Sequence, residues 1–95
     1  MVDIAKCVVW DLDGTLWDGV LLEDGFENIT PNLEIIELIR DLDKKGVINS
    51  IASKNDPETA IVALTRLNIS HLFVAPQIGW GSKSKSIERV ISRLN

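Results

Sequence analysis

The chain has almost no cysteine. Cys7 stands alone among 95 residues, so the sequence excludes an internal disulfide framework and a thiolate metal cluster. There is no basic excess either: ten Lys and Arg face 14 Asp and Glu, a net charge of -4. With no basic stripe, non-specific nucleic-acid binding is not expected. No stretch approaches the roughly 20 apolar residues that span a bilayer. Asp3 and Lys6 interrupt the N-terminus before the apolar core of a signal peptide could form, so a cytoplasmic location without membrane partners is expected. The one histidine, His71, has no ligand-type neighbours and is expected to be structural or exposed. Low-complexity tracts, repeats and linkers are missing, and no G-x-G-x-x-G or P-loop sequence follows any apolar run.

What is present is an ordinary globular composition, 45% apolar and 25% charged, expected to form a single domain over residues 1–95. A chain of this length buries roughly two-thirds of its unfolded surface. Residues 6–12 form a nearly continuous apolar run with Val8 and Val9, the signature of a parallel strand covered on both faces, with Cys7 as a small hydrophobe. Residues 13–30 break that pattern with Gly14, Gly19 and Gly25 among acidic residues, a loop region with room for a short hairpin. A helix is predicted from Pro31, capped by Thr30, with Leu33, Ile35, Ile36, Leu38, Ile39 and Leu42 as its apolar positions. Lys44, Lys45 and Gly46 mark its end. Residues 47–53 read as a second strand. A second helix follows from Pro57, capped by Asp56, with Ala60, Ile61, Leu64 and Leu67 inward and Asn68 as its stop. A third strand is predicted at 71–76, and a last helix from about Lys83 carries Ile87, Val90, Ile91 and Leu94.

Alternating strands and helices imply right-handed crossovers and a parallel sheet between helices, a Rossmann-like three-layer α/β/α fold. In such sheets the working groups collect beyond the carboxyl ends of the strands. That rule selects Asp11 and Asp13, then Ser53, then residues 80–83. On extended backbone, side chains at i and i+2 project the same way, so Asp11 and Asp13 can serve one site. Their mutual repulsion calls for a divalent cation, and Mg2+ accepts one or two carboxylates while leaving positions for water and phosphate. Gly14 and Thr15 offer turn amides and a hydroxyl to phosphate oxygens. One carboxylate can attack phosphorus to give an aspartyl-phosphate while the other protonates the leaving oxygen. The simpler reading of "DLDGT" is a polar turn after a strand; the strongly apolar run before it favours chemistry.

"VVWDLDGTLW" resembles motif I of the haloacid dehalogenase (HAD) superfamily, mostly phosphatases and phosphoryl-transfer enzymes. Ser53 in "IASKND" resembles the motif II Ser/Thr that donates to the transferring phosphoryl group. Lys83 in "GWGSKSKSI" resembles the motif III lysine, with Lys85 its rival. "WDLDGTLWDGVLLEDG", "SKND" and "W-G-S-K-S-x-S-I" together resemble the FkbH-like branch (class IIIC), which includes proteins that transfer a glyceryl unit to an acyl carrier protein. The magnesium-dependent phosphatase branch is the near alternative. The resemblance implies Asp11 as nucleophile and Mg2+ ligand, and Asp13 as general acid and base whose main-chain carbonyl also touches the metal. It implies Ser53 and Lys83 as a phosphate clamp.

One family feature is missing: the acidic pair after a fourth strand that completes the metal site. The resemblance therefore reads as C-terminally truncated before motif IV, without a full cap domain, since the 18–30 loop is too small to be one. Without a fourth strand beside it, the first becomes an exposed apolar edge; the chain is then either a fragment of a longer protein or a shortened one that covers the edge by association, and a homo-oligomer joined there is expected. Two functions compete: a Mg2+-dependent phosphatase or phosphoryl-transfer protein, and a non-catalytic module that keeps the phosphate cradle and self-associates. The expected substrate is a phosphorylated small molecule or a carrier-bound group. Trp10 is expected in the core or an interface. Trp17 and Trp80 fit either core or pocket wall, and Lys54 and Asn55 either meet substrate or lie exposed.

Overall fold

The computed structural model describes residues 7–81 and 83–94. Three parallel strands form the main sheet: β1 (Cys7–Trp10), β4 (Ile48–Lys54) and β5 (Gln77–Gly79), in the order β1-β4-β5. Between β1 and β4 lie a two-residue antiparallel ribbon, β2 (Trp17–Asp18) with β3 (Thr30–Pro31), the short helix α1 (Leu21–Asp24) and helix α2 (Leu33–Lys44). Helix α3 (Pro57–Arg66) joins β4 to β5, and α4 (Lys83–Leu94) follows β5. This is the α/β architecture that the alternation of elements predicts; in place of a short hairpin within 13–30, the ribbon pairs Trp17 and Asp18 with Pro31 and Thr30 across an intervening segment that holds α1.

The central strand β4 is buried along most of its length, and its alternation separates two layers. Ile51 joins a core cluster with Ile36 and Ile39 of α2 and Ala60, Ala63 and Leu64 of α3. Ala52 projects to the opposite face. It and Val90 of α4 are both fully buried yet stand outside that cluster, and α4 packs on β4 and β5. Helices therefore cover both faces. Two polar residues inside β4 are buried and bonded: Asn49 accepts from Trp10 Nε1 at 2.8 Å and donates to the Ile39 carbonyl at 3.3 Å, while Ser50 donates to the Ala75 carbonyl at 3.2 Å. Trp10 packs against the core cluster, as expected.

Element boundaries depart from expectation where local hydrogen bonding overrides periodicity. β1 ends at Trp10, because the chain turns at once: the Leu12 carbonyl accepts from both Thr15 and Leu16. Helix α2 is capped by Asn32, whose side chain accepts from Ile35 N–H, not by Thr30. Thr30 and Pro31 instead pair with Asp18 and Trp17, and a proline in a two-residue edge strand sacrifices no ladder bond. Within the helices, Leu33, Leu38 and Ile61 are exposed and not part of the core. The third strand is not at 71–76. Residues Ser70–Leu72 form a 3-10 turn, Phe73 bridges Asn49, and Ala75 at φ 50° with Pro76 interrupts the run, so pairing resumes at Gln77. The predicted stops hold: Gly46 at φ 82° ends α2 and Asn68 at φ 57° ends α3, the left-handed positions that glycine and asparagine tolerate.

Candidate active site

The register places the predicted strand ends at one rim. Trp10 pairs with Ile51 and Ser53 with Ile78, so the chain leaves β1, β4 and β5 on the same side of the sheet. Asp11 follows β1 directly and is half-buried; its Oδ1 accepts from the Leu12 N–H at 2.8 Å. Ser53 is buried near the end of β4. Lys83 is the first residue of α4; its side chain lies outside the described residues. Lys85 lies exposed on the same helix.

Asp13 is anchored from three elements. Its Oδ1 accepts from Trp17 Nε1 at 2.8 Å and from the Leu21 N–H at 3.0 Å, and its Oδ2 accepts from Asn55 Nδ2 at 3.1 Å. The donors come from β2, from the first turn of α1 and from the segment after β4. What brings Asp13 to the rim is thus a turn fastened by three donors. The expected alternation along extended backbone is not the cause, since β1 has ended before Asp11. A carboxylate has about four acceptor positions; among the described residues three are filled, which leaves one on Oδ2.

Gly14 and Thr15 differ from expectation in one respect. The Gly14 N–H donates to the Trp17 carbonyl at 2.8 Å and the Thr15 N–H to the Leu12 carbonyl at 3.0 Å. Both amides are committed to the turn, so the cradle they were expected to offer is not open in this conformation. Gly14 adopts φ 79°, which explains a glycine there.

The sequence reading missed the anchors of Asp13. Trp17 is fully buried and belongs to the core, yet its indole N–H faces Asp13. Asn55 is 1% exposed, neither a surface residue nor an open one. The usable signal was a tryptophan four residues after Asp13 and an amide two after Ser53, each near a carboxylate that needs donors. Trp80, by contrast, is 61% exposed. Beside the rim, a cavity of about 310 Å3 runs between the ribbon region and α3, lined by Leu21, Phe26, Glu58, Thr59, Val62 and Ala63. It touches the site only through Leu21. The donor set at the rim is two carboxylates; among the described residues no group of three or more His, Cys, Asp or Glu is arranged to hold a metal ion. No described helix is long and apolar enough to cross a membrane.

No family model and no curated protein matches the chain. Among solved structures, it is similar to the crystal structure of the N-terminal part of the protein BF1531 from Bacteroides fragilis, containing a phosphatase domain and complexed with Mg. The TM-score is 0.85 at 28% identity over 95% of this chain, which spans 27% of that one.

Proposed function

We propose that this chain is a HAD-type phosphatase or phosphoryl-transfer domain that works with Mg2+ through an aspartyl-phosphate on Asp11. The observation that carries the reading is Asp13, held by three donors from three elements at a parallel-sheet rim, two residues from a second carboxylate. The likeness to a phosphatase domain complexed with Mg supports it, as do the motifs around Asp11, Ser53 and Lys83.

The chemistry follows from the two carboxylates. An Asp11 oxygen attacks phosphorus, the ester P–O bond breaks, and Asp13 in its acid form gives its proton to the departing oxygen. Asp13, now ionised, takes a proton from water. The water oxygen attacks phosphorus, and the Asp11 carboxylate leaves as phosphate is released. The acceptor position left on Asp13 Oδ2 is where that proton sits. Ser53 and Lys83 hold the phosphoryl oxygens, with the Thr15 hydroxyl as a further donor.

The donors fit Mg2+, a hard cation content with one or two carboxylates plus phosphate and water. Because protein donors fill most of the Asp13 carboxylate, the groups assigned to the ion are the Asp11 carboxylate and the Asp13 main-chain carbonyl. Bound there, it would offset the charge that Asp11 and the substrate bring together. The motifs favour the FkbH-like branch, and a rim that carries no large cap among the described residues fits a carrier-bound substrate.

Turnover of p-nitrophenyl phosphate with and without Mg2+ tests the reading. Wild-type hydrolysis should need the ion, and Asp11→Asn should lose about 10³-fold or more, the scale of a removed nucleophile. Activity that survives Asp11→Asn refutes the assignment; phosphate binding without turnover favours the non-catalytic module.

A further inference from the structure

Asn55 is an anomaly of the packed interior. It is 1% exposed, and its Oδ1 is buried with no hydrogen-bond partner among the described residues. Leaving a buried carbonyl unsatisfied costs folding free energy. An apolar side chain of similar shape would avoid that cost, so packing alone does not account for an amide here. Nor does the opposite amide orientation resolve it. That rotamer would set a carbonyl oxygen against the Asp13 carboxylate and bury two unpaired N–H donors instead.

The other contacts of Asn55 supply the reason. Its Nδ2 donates to Asp13 Oδ2 at 3.1 Å, and its backbone N–H donates to the Gly79 carbonyl, at the end of β5, at 3.3 Å. Trp17 and Leu21 both bind the other oxygen, Oδ1. Pinned through Oδ1 alone, the carboxylate could swing about that atom. Asn55 stops the swing and does so at the oxygen that keeps an open acceptor position.

We infer that Asn55 is a positioning residue: it fixes the direction of the Asp13 Oδ2 lone pair relative to the ends of β4 and β5, at the expense of its own unpartnered carbonyl. The inference rests on the reading of Asp13 as the proton carrier. Its consequence is selective. An alkyl phosphate leaves as an alkoxide that needs the proton of Asp13, whereas p-nitrophenolate leaves without one.

The experiment compares kcat/KM for glycerol phosphate and p-nitrophenyl phosphate in wild type and Asn55→Ala, with hydrogen exchange of the Trp17 indole proton followed by NMR (its signal identified in Trp17→Phe). The expected result is a loss of about tenfold to 10²-fold on the alkyl ester, the scale of a small misplacement, against a loss of about twofold or less on the aryl ester. Indole exchange should accelerate about tenfold or more as Asp13 loosens, with little change in melting temperature. Equal losses on both esters, or none on either, overturn the positioning role. If wild type hydrolyses neither ester, the phosphatase reading fails and indole exchange decides alone: faster exchange upholds the tether, unchanged exchange overturns it. Asn55→Leu, which keeps the volume and lacks the donor, replaces the alanine variant should that one fail to fold.

Discussion

Cys7 opens β1 half-buried, and burial pushes its thiol above the usual cysteine range. The thiolate is the reactive form, so the native protein should react with iodoacetamide more slowly than free cysteine and reach the free rate once unfolded. Equal rates before and after unfolding would contradict this. Asp56 shows the opposite shift. Its side chain caps α3, accepting from the Thr59 hydroxyl at 2.6 Å and the Thr59 N–H at 3.0 Å, and these bonds hold its carboxyl below the ordinary range. A depressed folded value stabilises the fold above the unfolded pKa, and the contribution is lost as pH falls through the folded value. Asp56→Ala should therefore melt below wild type at neutral pH, with the gap closing on the acid side of the ordinary aspartate range. A gap independent of pH would contradict the cap. Both residues were legible in sequence: Asp56 ahead of Pro57 is a capping signal, and Cys7 sits in an apolar run.

At the scale of elements, the ribbon and α1 act as a strap over the rim. Its inner edge is tied to Asp13 through Trp17 and Leu21. Its outer turn is tied to α3 by Arg66, which lies 4.1 Å from the Phe26 ring centroid and 3.3 Å from Glu27 Oε1. The two ties differ in strength. Trp17 donates to the Asp13 carboxyl group within the protein, and Trp17→Phe, which keeps most of the packing, should cost about 1–3 kcal/mol in chemical denaturation. Arg66→Ala removes exposed contacts and should cost about 1 kcal/mol or less. A reversed order would show that the strap hangs from its outer end. Sequence periodicity found helices α2, α3 and α4 and strands β1 and β4 of this architecture, and missed such ties. Hydrophobic spacing encodes which face is buried, but not which indole or amide meets a carboxylate 42 positions away, as Asn55 meets Asp13. The same limit explains α2: Asn32 and Thr30 are both good caps, and only the pairing of Pro31 with Trp17 decides between them.

At the scale of the whole molecule, β4 is sealed between layers while β1 is paired on one side only among the described residues. Unpaired edges invite strand addition, and we propose self-association along β1. Light scattering should find a dimer at micromolar concentration that a proline replacing Val8 dissociates; a stable monomer would contradict it. The order β1-β4-β5 gathers three strand ends at one rim, and that rim was legible from the alternation of elements and "DLDGT" alone. What sequence could not supply was the direction of each carboxylate oxygen, because those depend on turn hydrogen bonds with no periodic signature.

The central claim is that Asp11 takes the phosphoryl group and Asp13 moves the proton. The most direct measurement is a rapid-mixing assay of Asp13→Asn with p-nitrophenyl phosphate and Mg2+. Because this leaving group needs no proton, the variant should release a burst of p-nitrophenol stoichiometric with enzyme and then stall, with the phosphoryl group found on Asp11. Absence of a burst, or a phosphoryl group on any other residue, would contradict the account.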